Sequence, residues 1–192
     1  MIIDLSAPLA SIEVALQRLG RKTLLRSLQP GLSVEAVQSS LEAVGLASSP
    51  ELEALYVWKN GTSTAGGVTL DDIHLFPGFY LLSIEDAIAN YKAFVTDSRW
   101  SLGWLPIFAN GGGDFYVLDL GSLSERPVRH FRIEGSEHPI EFSSLGAMLA
   151  TLAAAFERGI FFVDPNGFLE MDDLAFGGLA AELNHDIDWW QG

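Results

Sequence analysis

The sequence predicts an α+β fold, with a mostly antiparallel central sheet, N-terminal helices and a later helix packed on it. Three observations predict it. Up to residue 95 the chain breaks into segments with apolar residues at helical spacing; two strand-like runs, 104–109 and 114–120, are joined by Asn110-Gly111-Gly112-Gly113; and helical spacing returns at 144–156. Helices first, strands in the middle and a helix after them is the order of an α+β chain, not of alternating βαβ winding.

The elements come in this order. An N-terminal helix is expected over residues 8–28, with Pro8 in its first turn and Ile12, Leu16 and Leu19 on one face, until Pro30-Gly31 breaks it. Ser33 caps a second helix with Val34, Val37, Leu41 and Val44 in a stripe, closed by Gly45. In "SSPELEALYVWKNG" Ser49 as N-cap with Pro50 behind it competes with a Ser48/Glu51 capping box one residue out of step. Either register turns Leu52, Leu55 and Tyr56 inward and puts Gly61 past the helix end. Residues 61–67 read as a connection, and "LFPGFYLL" as extended chain interrupted by Pro77-Gly78. Ser83 caps a helix carrying Ile84, Ala87, Ile88, Tyr91 and Val95. Asn-Gly between apolar runs then signals a hairpin, with Phe115, Val117 and Asp119 on one face of its second strand and Tyr116, Leu118 and Leu120 on the other. "RPVRHFRIE" alternates again, "HPIEF" suits a short final strand, and Ser144 opens a helix through Phe156 closed by Gly159. The remainder, with its turn signal DPNG at 164–167, is ambiguous. No linker divides the chain, so residues 1–192 read as one domain.

At 48% hydrophobic and 11% aromatic, the 192 residues can offset the entropy of ordering, which argues against disorder. The absence of cysteine excludes disulfides, thiolate zinc sites and a thiol nucleophile. Asp4 and the lack of a basic stretch near the start do not suit a signal peptide, and no run approaches 18 apolar residues, so a cytoplasmic protein is expected. Eleven basic residues against 25 acidic ones give a net charge of −14. That field repels nucleic-acid backbones and anionic membranes, and favours a basic protein partner by steering its approach. Solubility alone is the competing explanation. The charge is uneven: between Asp164 and Asp188 lie seven acids, among them Asp172, Asp173 and Asp186, and no Lys or Arg.

Two stretches carry a family resemblance. "LEALYVWKNG" at 52–61 resembles the helix-plus-Asn-Gly signature of the SMI1/KNR4 family of the SUKH superfamily, and "WLPIFANGGGDFYVLDL" at 104–120 is similar to its central motif. "LFPGFYLLSIEDAI" and the helix after "EHPIEFSSLGAML" fall in the expected order. The match covers about 30–160 and leaves the first helix and the acidic tail, 164–192, outside. The resemblance implies an α+β binding protein without catalysis. Bacterial members resemble immunity proteins that neutralise polymorphic toxins, often nucleases; fungal members act as regulators and scaffolds. An immunity role with a basic toxin is therefore expected, with a regulatory scaffold as the alternative.

Each chemistry-bearing residue has a plainer competing role. A phosphate loop needs a helix after its glycines, whereas Gly111–Gly113 lead into a strand-like alternation. The glycines suit a turn with positive φ, and Asp114 is expected to accept nearby backbone amides or else to sit on a binding rim. A hydrolase using carboxylates around Asp114 and the acidic tail is the third, weakest function. Adjacent acids such as Asp71-Asp72 point apart and make poor dyads. The four histidines match no metal template, so no metal or cofactor is expected, although His185, Asp186 and Asp188 offer oxygen-rich ligands. Candidate contact residues are Trp58, Asn60, Trp104, Asp114 and Tyr116 of the two motifs, with Trp189 and Trp190 of the tail. Core packing competes for Trp58 and Trp104, and the tail tryptophans either dock back onto the domain or meet a partner.

Overall fold

The computed structural model describes residues 4–121 and 126–192; Met1–Ile3, the start of the N-terminal stretch, lie outside the described residues. The helix expected over 8–28 is two helices, α1 (Ser6–Arg18) and α2 (Lys22–Ser27). Gly20, with φ 72, separates them, a backbone state that costs a glycine little. A short strand, β1 (Leu28–Pro30), is next, then α3 (Val34–Glu42), whose first turn is closed by the Ser33 hydroxyl accepting from the Ala36 amide at 3.2 Å. In α4 (Pro50–Trp58) the Ser49 register forms: its hydroxyl accepts from the Leu52 amide at 3.2 Å. Glu51 accordingly does not reach back along its own helix. Its carboxylate accepts from the Leu145 amide at 3.0 Å, 94 residues away.

Gly61, past the end of α4 as expected, lies within β2 (Lys59–Thr62), which pairs antiparallel with β1. Its φ is 78, and an added Cβ would stand 2.1 Å from the Ser83 nitrogen. Only glycine lets β2 pass this close to the chain entering α6 (Ile84–Phe94). Between them lie α5 (Leu70–Ile73), opened by a Thr69/Asp72 capping box, and β3 (Tyr80–Leu81), reached by a turn in which Phe76 and Phe79 bridge.

The central sheet is antiparallel throughout, in the order β3-β4-β5-β6-β7, with β4 (Trp104–Ala109), β5 (Phe115–Asp119), β6 (Val128–Phe131) and β7 (Ile140–Phe142). Cross-strand pairs sort its faces. Tyr116 opposes His130, and Leu118 opposes Val128, which opposes Phe142; on the other side Phe115 opposes Phe131. The second face is covered by the chain leaving α6, with Phe94 and Trp100 edge-on to Phe131 at 5.6 and 4.9 Å. Both faces of β5 are therefore apolar and buried, so its alternation separates two covers and not core from water.

After β7 comes α7 (Leu145–Glu157), almost wholly apolar because α1, α4 and α8 all pack on it. Met148, Leu149, Leu152 and Phe156 are among its buried residues, each contributing on the order of 1.5–3 kcal/mol by leaving water. The ambiguous remainder is ordered structure: β8 (Phe161–Val163) and β9 (Leu169–Met171) form a hairpin around DPNG, then come α8 (Asp173–Leu183) and a 3-10 turn at Asp188–Trp190. Asp164 organises the hairpin by accepting from the Phe168 amide at 2.8 Å, and α8 is tied to α7 by Asn184 donating to the Thr151 hydroxyl at 3.0 Å. One cluster of buried residues runs from Leu5 to Leu179. No helix of the described residues is long and apolar enough to cross a membrane.

Candidate functional site

The triple glycine joins β4 to β5 in a lock made by two side chains. The Asn110 carbonyl oxygen accepts from the Gly112 and Asp114 amides at 2.7 and 3.1 Å, and its NH2 donates to Asp114 Oδ2 at 3.1 Å. Asp114 Oδ1 accepts from the Ile133 amide at 2.8 Å, tying the turn to the chain leaving β6. Gly111 and Gly113 hold φ 80 and 105. The turn leads directly into strand β5, so no helix N-terminus faces the glycines.

The first-motif residues lie elsewhere. Asn60 is buried and uses its whole amide inside the fold: its oxygen accepts from the Ile84 amide at 2.9 Å, opening α6, and its NH2 donates to Glu85 at 3.1 Å. Trp58 is half-buried, donates to Glu13 at 3.3 Å and lines an apolar groove of about 470 Å³ between α1 and α4. Trp104 is buried, donates to Asp119 at 3.1 Å, and carries the Arg129 guanidinium 5.3 Å from its ring.

The remaining candidates converge on β7. The β6–β7 register slips by one residue, so Ile140 opposes Arg129 while Phe142 opposes Val128 and Glu141 is the extra residue of a bulge. The bulge turns Glu141 inward, where it is 2% exposed. One carboxylate oxygen accepts from the Tyr116 hydroxyl at 2.9 Å; the other meets His130 Nδ1 at 3.1 Å and Arg132 at 3.5 Å. Burial, and then the neighbouring Glu141 charge, hold the Tyr116 hydroxyl well above the ordinary phenol range. Tyr116 and His130 also stack at 4.6 Å. With both oxygens engaged and the group out of water, this network ties three strands together. Sequence reasoning missed Glu141, Arg132 and His130 as a set. The available signal was a lone acid in the apolar "HPIEF" run, which the one-residue slip hid.

The tail tryptophans do different jobs. Trp190 docks back: its indole donates to the Glu141 carbonyl at 2.5 Å and its ring packs 6.0 Å from both Phe142 and Phe176. Trp189 remains 39% exposed, with the Arg132 guanidinium 4.9 Å from its ring. Docking Trp190 opens a cleft of about 520 Å³ between β7 and the last turn, lined by Arg129, Pro139, Ile140, Asp186, Ile187, Asp188 and Trp189. Arg129 is held by Asp119 at 3.5 Å and by the His138 carbonyl at 3.4 Å. Among the described residues, Asp186 and Asp188 enter no ion pair. Trp104, Tyr116, Trp189 and Trp190 are thus linked through Arg129, Glu141 and Arg132, whereas Trp58 and Asn60 stand apart.

A family model described as SMI1 / KNR4 family (SUKH-1) matches residues 31–151, more than half of the chain. No curated protein matches it. The matched segment contains the sheet, Trp58, Asn60, the glycine turn and Glu141; α1, the β8–β9 hairpin, α8 and the two tail tryptophans fall outside it.

Proposed function

Because the chain belongs to the SMI1/KNR4 family, we propose that it is a non-catalytic protein-binding domain, an immunity-type protein that neutralises a basic toxin, of the nuclease class, by covering its working face. The observation that carries this reading is the distribution of charge. Seven of the 25 acids and none of the 11 Lys and Arg residues lie in 164–192, a segment folded against β7 and ending in an exposed indole beside free carboxylates. A basic partner is drawn to such a surface at rates raised by roughly 10- to 1000-fold at low salt, and aromatic anchors hold it once there. A nucleic-acid backbone, itself anionic, is repelled by the same field.

The test is co-expression with the product of the neighbouring gene, followed by purification and a toxin assay. A stoichiometric complex with lost toxin activity, whose association slows as salt rises, is the expected result. A complex that leaves activity intact would favour the regulatory or scaffolding role, and no complex with any neighbouring product would defeat the immunity reading.

A further inference from the structure

We infer that the cleft between β7 and the last turn is a receptor for an arginine of the basic partner, inserted from an extended segment. This rests on the reading that the partner is a basic protein, and it specifies where and by what chemistry that partner is held.

The cleft walls divide the work. Pro139, Ile140, Ile187 and the Trp189 ring offer apolar surface to the methylene stem of a long cationic side chain, which buries its stem while its head stays polar. Asp186 and Asp188 stand at the same cleft with no ion pair among the described residues. Both carboxylates line the cleft, and a carboxylate recognises a planar guanidinium through paired N–H donors, whereas an ammonium acts as a point charge. Indole faces attract guanidinium groups, and this molecule already uses that contact twice, with Arg132 on Trp189 and Arg129 on Trp104. Among the described residues, Arg129 of the cleft lining is offset by Asp119 at 3.5 Å and Arg132, on the Trp189 ring, by Glu141 at 3.5 Å, so neither cancels the two free acids. A divalent ion is a poorer occupant, because no group of three or more His, Asp or Glu among the described residues is placed to hold one. At about 520 Å³ the space takes a side chain with its flanking backbone.

The two walls also have different origins. Arg129, Pro139 and Ile140 belong to the family-matched segment, while Asp186, Ile187, Asp188 and Trp189 lie beyond it. Choice of partner is thereby placed on the part of the chain that the family pattern does not cover, with Trp190 holding that part in position.

The whole chain is titrated with the peptide acetyl-Gly-Arg-Gly-Arg-Gly-amide and its lysine twin, following indole N–H resonances assigned by Trp189→Phe. The arginine peptide is expected to shift the Trp189 signal, to bind more weakly as salt rises and to bind more tightly than its twin. Asp186→Asn with Asp188→Asn is expected to weaken it at least about tenfold. Glu35→Gln with Glu42→Gln, which removes two exposed charges from α3, is expected to leave affinity within about twofold. No binding, equal weakening by both double variants, equal affinity for the lysine peptide or a shift confined to other tryptophans would each overturn the inference. If the cleft variants still form the toxin complex with unchanged affinity, the cleft fails and the immunity reading stands. If the peptide binds the cleft while no neighbouring product is captured, the reverse holds.

Discussion

Replacing Gly61 by alanine tests how β2 and α6 are held together. An ideal Cβ there stands 2.1 Å from the Ser83 nitrogen, 2.4 Å from its Cα and 2.7 Å from the Leu82 carbonyl carbon, all backbone atoms that cannot rotate away. Relief requires the start of α6 to move by more than 1 Å, about the shortfall from an ordinary contact of ~3.5 Å. Such a shift breaks the 2.9 Å bond from the Ile84 amide to Asn60, and a buried bond left unmade costs about 1–3 kcal/mol. The positive φ of 78 adds roughly 1–2 kcal/mol for any residue with a Cβ. The sum is about 2–5 kcal/mol, or about 4–20 °C in melting temperature for a chain of this length. Gly66→Ala is the control: its φ of 83 is as unfavourable, but nothing lies within 4 Å of the added carbon, so only about 1–2 kcal/mol is expected. Urea unfolding of both variants, followed by tryptophan fluorescence, separates conformational strain from collision. Equal losses, or a Gly61→Ala loss below about 1 kcal/mol, would refute the close-approach argument.

Removing the Glu141 carboxylate with alanine strands the Tyr116 hydroxyl and His130 in the core and is expected to cost about 3–5 kcal/mol in the same unfolding assay; a loss under about 1 kcal/mol would show that the network is dispensable. His74 is 9% exposed, and its burial, helped by the Arg21 charge, outweighs Asp71 at 3.8 Å, so its pKa in the folded state lies below the ordinary 6.5. The unfolded chain therefore takes up its proton first, and stability falls as pH drops below about 6.5 toward the depressed value, by at most about 1.4 kcal/mol per pH unit. His74→Gln is expected to flatten that slope in urea midpoints measured from about pH 7.5 to 5, either side of the ordinary histidine value; an unchanged slope would assign the acid sensitivity elsewhere, His138 being shifted in the same direction.

What could be read from the sequence was what depends on neighbours along the chain. Ser33, Ser49, Ser83 and Ser144 all cap the helices they precede, since a hydroxyl reaching an amide three residues ahead needs no tertiary information. The Asn110–Gly113 turn was legible for the same reason, and Asp114 accepts a backbone amide as expected, though from Ile133 across the sheet. The errors arose where distant contacts decide. Gly61 does lie past the end of α4, but what demands a glycine there, the start of α6, comes more than twenty residues later. Residues 160–192 were ambiguous because α8 is apolar on the side that meets α7 and carries glycines at 177 and 178, which blur its periodicity. The Glu141 network stayed hidden behind a one-residue register slip, which no alternation pattern reveals.

The indole of Trp190 also bears on the open border of the central sheet. β7 is the outer strand of the five, and an open border of that sort invites a stranger's backbone to lie alongside and extend the sheet. Here the border is only three residues long, is bent by an inserted residue, and has the carbonyl of that residue already taken by a ring from the same chain. A passing strand finds little length there and one acceptor already taken. The turn that carries Trp189 into solvent thus also covers part of this border.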